Sequence, residues 1–123
     1  MQAIMEGFSA RIRPGVEREL EAARVARRLG NAATAFSRLE RAHVLGQAST
    51  LLHVRVHWEM LLWGLRERSA REAFGQALRI AGAAILTPFG LVPGGNTGGA
   101  NVSPFAPMPI PSDLQRVIDA ARH

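Results

Sequence analysis

Turn and capping signals at four places divide the first 87 residues of the sequence into stretches of helical length. A glycine or a proline follows three of the stretches, and an asparagine or a serine, which can cap a first turn, precedes three. We therefore predict four helices, at about residues 14–29, 31–45, 49–68 and 69–86, counting the capping residues. Pro14 is placed in the first turn of its helix, and Ser69 and Glu72 have the spacing of a capping box. No stretch alternates apolar and polar residues as strands do, so the sequence predicts an all-α fold.

The composition changes after the fourth predicted helix. Residues 87–111 are rich in Gly, Pro, Asn, Ser and Thr, which is incompatible with a regular helix. The segment also carries apolar residues that a freely disordered chain would not concentrate, namely Val102, Phe105, Met108 and Ile110. We expect this segment to lie extended across the helices, with Phe105, Met108 and Ile110 partly buried. The chain is thus predicted as one domain (1–123), with a helical core (14–86), the extended segment (87–111) and a short final helix (112–121).

A faint internal repeat relates the two halves of the helical region. The stretches NAATAFSRLERA and SAREAFGQALRI align at a spacing of 38 residues, which places Ala35-Phe36 over Ala73-Phe74. The tetratricopeptide unit is a helix–turn–helix with a period of about 34 residues. We therefore predict two antiparallel, tetratricopeptide-like hairpins, with the C-terminal segment as their cap. This architecture suits a non-catalytic module that binds a protein partner or a second copy of the chain.

The composition restricts the classes of function. The 123 residues include no cysteine and no lysine, which excludes disulfides, thiolate ligands and a Walker phosphate loop. The 15 basic residues, all arginine, are spread along the chain, so the net charge of +5 does not form the concentrated basic face of a nucleic-acid-binding protein. The longest apolar run, residues 80–92, is shorter than the about 20 residues of a membrane span. We expect a cytoplasmic protein that binds neither nucleic acid nor membrane.

Histidines are concentrated on the second and third predicted helices. On a helical wheel, His53 and His57 lie opposite the polar face of the third helix. His43 and Glu40 lie on the apolar face of the second helix, and an antiparallel pairing about the short turn brings all four groups to similar levels. Imidazoles and carboxylates are ligands of zinc, copper, iron and nickel, and helical bundles build metal sites from facing helices. The sequence therefore predicts a transition-metal site formed by Glu40, His43, His53 and His57.

Two further residues lie on the same interior faces and could add ligands. Glu19 falls in the apolar arc of the first helix, and Met60 follows His57 by one turn, where its soft sulfur would favour copper. Because only neutral imidazole binds a metal, affinity is expected to weaken as the pH falls through about 6.5, the ordinary histidine pKa.

The same residues also fit a structural role. Buried histidines are commonly hydrogen-bonded to carboxylates, so the cluster can equally tie the helices of an interaction module together without any cofactor. The sequence shows neither an open coordination position nor an acid or base beside it. It therefore favours a binding or interaction protein over an enzyme, and no catalytic residue is assigned.

The glycine-rich stretch of the tail is a candidate ligand loop. Its residues Asn96, Thr97, Gly98, Gly99 and Asn101 can form a backbone nest that binds an anion. The alternative is a set of tight turns that glycine permits.

Three stretches carry a family resemblance. LERAHVLGQ, HVRVHWEML and GLVPGGNTGGANVSPFAPMPIPSDL resemble the bacterial family named domain of unknown function 3703. The resemblance covers nearly the whole chain from the first helix onward, and the glycine–asparagine tail is its most specific part. It implies a small cytoplasmic helical protein without an established activity. The positions that it carries over are Glu40, His43, His53, His57 and the loop from Asn96 to Asn101.

Overall fold

The computed structural model describes residues 2–91, 94–103 and 106–122, with side chains from residue 7 onward. Within these ranges lie five α-helices and a 3₁₀ turn. They are α1 (Gln2–Arg28), α2 (Ala32–Gly46), α3 (Thr50–Arg66), α4 (Ala70–Leu86), the 3₁₀ turn Thr87–Phe89 and α5 (Ser112–Ala121). The described residues contain no strand, so the predicted all-α fold is confirmed. None of these helices is long and apolar enough to cross a membrane.

Capping side chains fix the starts of α2 and α4 where the sequence predicts them. Asn31 Oδ1 accepts a hydrogen bond from the backbone N–H of Thr34 at 3.0 Å. Ser69 Oγ accepts from the backbone N–H of Glu72 at 3.2 Å. Helix α3 follows Ser49, as predicted, although that serine makes no side-chain capping bond.

Helix α1 begins at Gln2 and continues through Pro14, so the start predicted at the proline is wrong. A proline inside a helix removes one hydrogen bond and costs about 3 kcal/mol or more. Burial on both sides of the proline offsets this cost, because Ile12 and Val16 are fully buried and Phe8 packs against the same core. Each fully buried side chain of this kind contributes about 1.5–3 kcal/mol.

Two helical hairpins make up the fold, because α1 packs mainly on α2 and α3 mainly on α4. The predicted pair of hairpins is confirmed, whereas their likeness to tetratricopeptide units stays a prediction. Gly64 allows the close approach within the second hairpin. A Cβ atom at this position would lie 2.9 Å from the backbone nitrogen of Ala73.

The hydrophobic core lies between α1, α2, α3 and α5. Among the described residues, α4 supplies none of its members. They are Ile12, Val16, Leu20, Ala23, Leu39, Ala42, Val44, Leu45, Leu52, Val56, Met60, Leu114, Ile118 and Ala121. Helix α4 is therefore held by its contacts with α3 and with the loop that follows it, and not by this core.

The C-terminal segment returns to the core. Leu114 and Ile118 of α5 are buried, Ile110 packs against the core, and Met108 is half-buried. Partial burial is thus seen for two of the tail residues for which it was predicted, while Phe105 lies outside the described residues.

Candidate metal centre

Three buried imidazole rings meet where α2 faces α3. His43 lies near the C-terminal end of α2, and His53 and His57 lie one turn apart on α3. None of the three residues is more than 5% exposed. Their Nε2 atoms form a small triangle, with 2.9 Å from His43 to His53 and 3.1 Å along each of the other two edges. The predicted convergence of these histidines is therefore present in the structure.

Each ring also contacts an oxygen atom through its other nitrogen, Nδ1. His43 Nδ1 lies 2.6 Å from the carbonyl oxygen of Asn96 in the C-terminal loop. A carbonyl can only accept a hydrogen bond, so His43 donates through Nδ1 and its Nε2 atom carries a lone pair. His53 Nδ1 lies 2.7 Å from Thr87 Oγ1 in the 3₁₀ turn. Because a hydroxyl donates or accepts, this contact holds the ring in either tautomer.

Gln76 of α4 fixes the tautomer of His57. Its Oε1 atom lies 2.5 Å from His57 Nδ1. Its amide nitrogen donates to the Glu72 carboxylate at 2.7 Å and to the Gly98 carbonyl at 2.8 Å. Both of those partners can only accept, so the amide oxygen must face the histidine and His57 Nδ1 must donate. The Nε2 atom of His57 therefore also carries a lone pair.

With these assignments, the three Nε2 atoms have too few protons for a hydrogen bond along each edge of the triangle. His43 and His57 both present acceptors 3.1 Å apart, and at most one proton, on His53, is available to bridge them. Buried acceptors that face one another without a donor are costly. A cation bound by all three nitrogens removes that cost. Histidine ligands of metals typically donate their other ring N–H to a protein oxygen, as His43 and His57 do here.

Burial keeps the cluster neutral. Desolvation is the largest cause of a lowered pKa at each ring, to about 3 for His53 and about 4 for His57, from the ordinary 6.5. The pKa of His43 also lies well below 6.5, because of desolvation and of the two neighbouring histidines. Arg79 on α4 further lowers the pKa of His43 and His57. At neutral pH the three residues are therefore neutral imidazoles, the form that binds metal ions.

We expect the metal-free protein to lose stability as the pH falls from about 6.5 towards 4. An unfolded histidine takes up a proton near pH 6.5, whereas the lowered pKa prevents this in the folded chain. The unfolded state then binds more protons, so the free energy of unfolding falls by up to about 1.4 kcal/mol per pH unit for each histidine. At pH values above the unfolded pKa of about 6.5, neither state takes up this proton, so the unfolding free energy is not reduced.

Urea unfolding in EDTA at about pH 7.5 and about pH 5 measures this loss, in a range where most carboxyl groups stay ionised. The His57→Ala variant, which has one titrating ring fewer, should show a smaller difference between the two pH values. Equal stability of the parent protein at both would contradict the burial of neutral histidines.

The loop from Asn96 to Asn101 packs against His43. Gly98 has a φ of +83°, and a Cβ atom on it would lie 2.5 Å from Cδ2 of the His43 ring. Asn96 is 2% exposed and donates through its amide nitrogen to the carbonyls of Ser103 and Ala106, at 2.8 and 2.7 Å. Its side-chain oxygen accepts from the Gly98 N–H at 2.8 Å. These bonds close the loop on itself and fix the Asn96 carbonyl against His43.

One comparison with known proteins identifies the family. Residues 10–118 match the family model described as Protein of unknown function (DUF3703). The chain belongs to this family. No curated protein and no solved structure matches it. The resemblance noted in the sequence is thus confirmed, and the function has to be inferred from the geometry of the site.

The predicted ligand loop of this DUF3703 protein contacts a carboxylate of the chain itself. The backbone N–H of Ala100 donates to Glu72 Oε2 at 3.0 Å. In a capping box, Glu72 would instead reach back to the backbone N–H of Ser69. That N–H donates to the Gly64 carbonyl at 2.8 Å, so the carboxylate is directed to the loop and to Gln76.

Glu40 lies apart from the Nε2 triangle. Among the described residues, the group of ligand atoms within 4.8 Å of one another comprises the three histidines and not this glutamate. Glu40 is half-buried near Thr97 and Glu72, and burial is the largest cause of its raised pKa. Of the remaining loop residues, Gly99 packs near the Phe36 ring and Asn101 is exposed.

The two additional predicted ligands have other surroundings. Glu19 pairs with Arg38 at 3.2 Å and with Arg41 at 3.0 Å, which joins α1 to α2. Met60 is fully buried in the hydrophobic core. The structure therefore brings together the three predicted histidines and neither predicted glutamate.

Sequence reasoning missed two residues that orient the imidazoles. Gln76 is fully buried, and its signal was a polar residue one turn after Glu72, opposite the apolar side chains of Phe74, Leu78 and Ile85 on the helix wheel. Thr87 is 1% exposed and precedes Pro88, where no local pattern marks it as a partner of a histidine on α3.

Proposed function

We propose that this protein binds one transition-metal ion, zinc, copper, iron or nickel, through the Nε2 atoms of His43, His53 and His57. The observation that carries the proposal is the Nε2 triangle, with edges of 2.9–3.1 Å, in which two of the three nitrogens must present lone pairs. A hydrogen-bonded network would place a donor between each pair of these atoms, and the available protons do not suffice.

The size of the triangle suits a metal ion. Zinc–nitrogen bonds are about 2.0–2.1 Å long, so ligands at right angles lie about 2.9 Å apart and ligands at tetrahedral angles roughly 3.3 Å apart. The observed edges fall at the lower end of this range. Binding therefore requires movements of a few tenths of an ångström at most. The oxygens of Asn96, Thr87 and Gln76 already orient the rings, which lowers the ordering cost of binding.

The donor set restricts the choice of ion. Three imidazoles suit zinc, copper, iron and nickel, and the absence of cysteine excludes thiolate coordination. Three protein ligands leave at least one coordination position for water or a small anion. Neither carboxylate proposed from the sequence is in the group, so the protein ligands add no negative charge. An anionic further ligand would offset part of the charge of the buried ion.

The lowered pKa values change the pH dependence that the sequence suggested. Protons compete for the folded site near the pKa values of about 4 for His57 and about 3 for His53, and not near 6.5. Metal affinity is therefore proposed to persist well below neutral pH.

Elemental analysis of protein purified without an affinity tag tests the proposal, followed by calorimetric titration of EDTA-treated protein with each of the four ions. The expected result is about one ion per chain, lost in the His53→Ala variant. The absence of a co-purified metal, together with no saturable binding of any of the four ions, would overturn it.

A structural network is the second candidate, and a specific observation favours it. The Nδ1 contact of each histidine already joins a different part of the chain, and the contact between His43 and Asn96 attaches the C-terminal loop to the first hairpin. In this case the cluster holds together a non-catalytic interaction module. The two candidates differ in the response to metal, because a structural network gains no stability from any of the four ions.

A further inference from the structure

The outer surface of the α3–α4 hairpin is apolar. Three large side chains on each helix lie within an arc of about 40°, counted at about 100° per residue. They are Leu51, Trp58 and Leu65 on α3 and Phe74, Leu78 and Ile85 on α4, and they form what we call the outer apolar face. Each exposes between 51% and 69% of its surface.

Both helices direct these side chains away from the rest of the protein. On the opposite side of α3, Val56 and Met60 are fully buried in the core. On the opposite side of α4, Gln76 is fully buried against His57, and Ala83 is also buried. The six side chains therefore lie on one outward surface of the second hairpin, and the described residues outside this hairpin leave them exposed.

The charge pattern of this face favours a second copy of the chain. No charged residue lies between the apolar members on either helix wheel. The nearest charges lie at the edges of the face: Arg55 on α3, which is paired with Glu17 of α1, and the exposed Arg71 on α4, about 20° beyond Leu78. Because each copy carries a net charge of +5, two copies associate most closely through a surface whose arginines lie only at its edges. An acidic protein or an anionic lipid surface would instead be recognised by arginines within the patch.

The area is that of a stable interface. The six side chains alone expose roughly 700 Å² per copy, against the about 800 Å² that each partner buries in a standard-size interface and the about 300–600 Å² of the largest patch on a typical monomer. Exposed alanines at positions 77, 81 and 84 of α4 extend the surface.

We infer that two copies of this protein pair through the outer apolar face, hairpin against hairpin, about a twofold axis. A twofold interface uses the same patch on both copies, which an apolar surface with charges only at its edges permits. The pairing joins α3 and α4 of each copy into a four-helix bundle. It also gives α4 the apolar burial that the monomer core does not supply.

Sedimentation velocity of the untagged full-length protein tests the inference. The expected species has twice the 13.3 kDa mass of the chain. Leu78→Arg places a positive charge within the apolar face of both copies and should weaken self-association at least about 100-fold. Leu29→Arg is the matched control, since Leu29 is 79% exposed at the end of α1, outside the face, and should leave the dimer intact.

Circular dichroism shows whether Leu78→Arg stays folded, and Leu78→Ala, which adds no charge, gives a second and smaller weakening. A parent protein that is monomeric at about 100 μM, a hundredfold above a Kd of about 1 μM, would overturn the inference. A dimer that survives Leu78→Arg unchanged would also overturn it. Binding of the monomer to vesicles of phosphatidylcholine and phosphatidylserine would assign the face to lipid instead and would equally count against the inference.

Discussion

The His57→Ala variant should show no metal-dependent rise in melting temperature, whereas the parent protein should show a large one. An ion that binds only the folded state contributes about 2.7 kcal/mol when its free concentration is one hundred times its Kd. For a chain of this size, that gain corresponds to roughly 10 °C in melting temperature. Removing one of three ligands abolishes the site, because the remaining two imidazoles cannot complete it. Differential scanning fluorimetry with zinc, copper, nickel and iron measures the shift.

The comparison has to be made between the metal-free and metal-loaded forms of each variant. His57→Ala also leaves the Gln76 amide oxygen without its donor, which destabilises the metal-free protein by about 1–3 kcal/mol. Arg66→Ala is the matched control, because Arg66 is an exposed residue of the same helix. Arg55 is less suitable because it pairs with Glu17. A metal-dependent shift that survives in His57→Ala would exclude this histidine as a ligand.

The Gly98→Ala variant should lose about 2–5 kcal/mol of unfolding free energy, from two separate causes. A left-handed backbone conformation costs a non-glycine residue about 1–2 kcal/mol. Forcing a methyl group into a packed site costs about 1–3 kcal/mol more. At Gly98 the φ is +83°, and the added Cβ would lie 2.5 Å from the His43 ring. Urea denaturation followed by circular dichroism measures the loss.

Gly90→Ala separates the two causes. Gly90 has a similar φ of +69°, but a Cβ atom on it would meet nothing within 4 Å. This variant should lose only the backbone contribution of about 1–2 kcal/mol. Equal losses in the two variants would show that the loop does not press against His43. A larger loss in Gly98→Ala would support close packing of the loop against His43.

The helices could be predicted from local signals, and the one clear error has a non-local cause. Asn31 and Ser69 act as caps because a short polar side chain satisfies the nearest free N–H groups, a relation that the sequence itself contains. The first helix extends through Pro14 because Ile12 and Val16 are buried against the core. That burial depends on residues far along the chain, including Leu114 and Ile118. A rule that considers only the residues next to a proline cannot predict this burial.

The histidines of the site could be predicted, whereas their partners could not. Helical periodicity alone places His43, His53 and His57 on interior faces. Counting residues outward from the turn between α2 and α3 also placed Glu40 beside them. That count gives only the position of a residue along the hairpin axis and not the direction of its side chain. Gln76 reaches His57 from α4, because α3 packs mainly on that helix.

The contacts of the C-terminal loop could not be predicted from its sequence either. Its glycines indicated either an anion nest or tight turns, and the sequence does not show which surface the loop covers. In the structure the Asn96 carbonyl accepts from His43 and the Gly98 carbonyl accepts from Gln76. Both contacts join residues more than twenty positions apart, so no local motif contains them.

X-ray absorption spectroscopy of the zinc-loaded protein tests the metal proposal most directly. Three Nε2 ligands predict a first shell dominated by nitrogen at about 2.0–2.1 Å, with the outer-shell scattering of three imidazole rings and at least one further light atom. A shell dominated by carboxylate or water oxygens, with fewer than two imidazole rings, would contradict coordination by His43, His53 and His57.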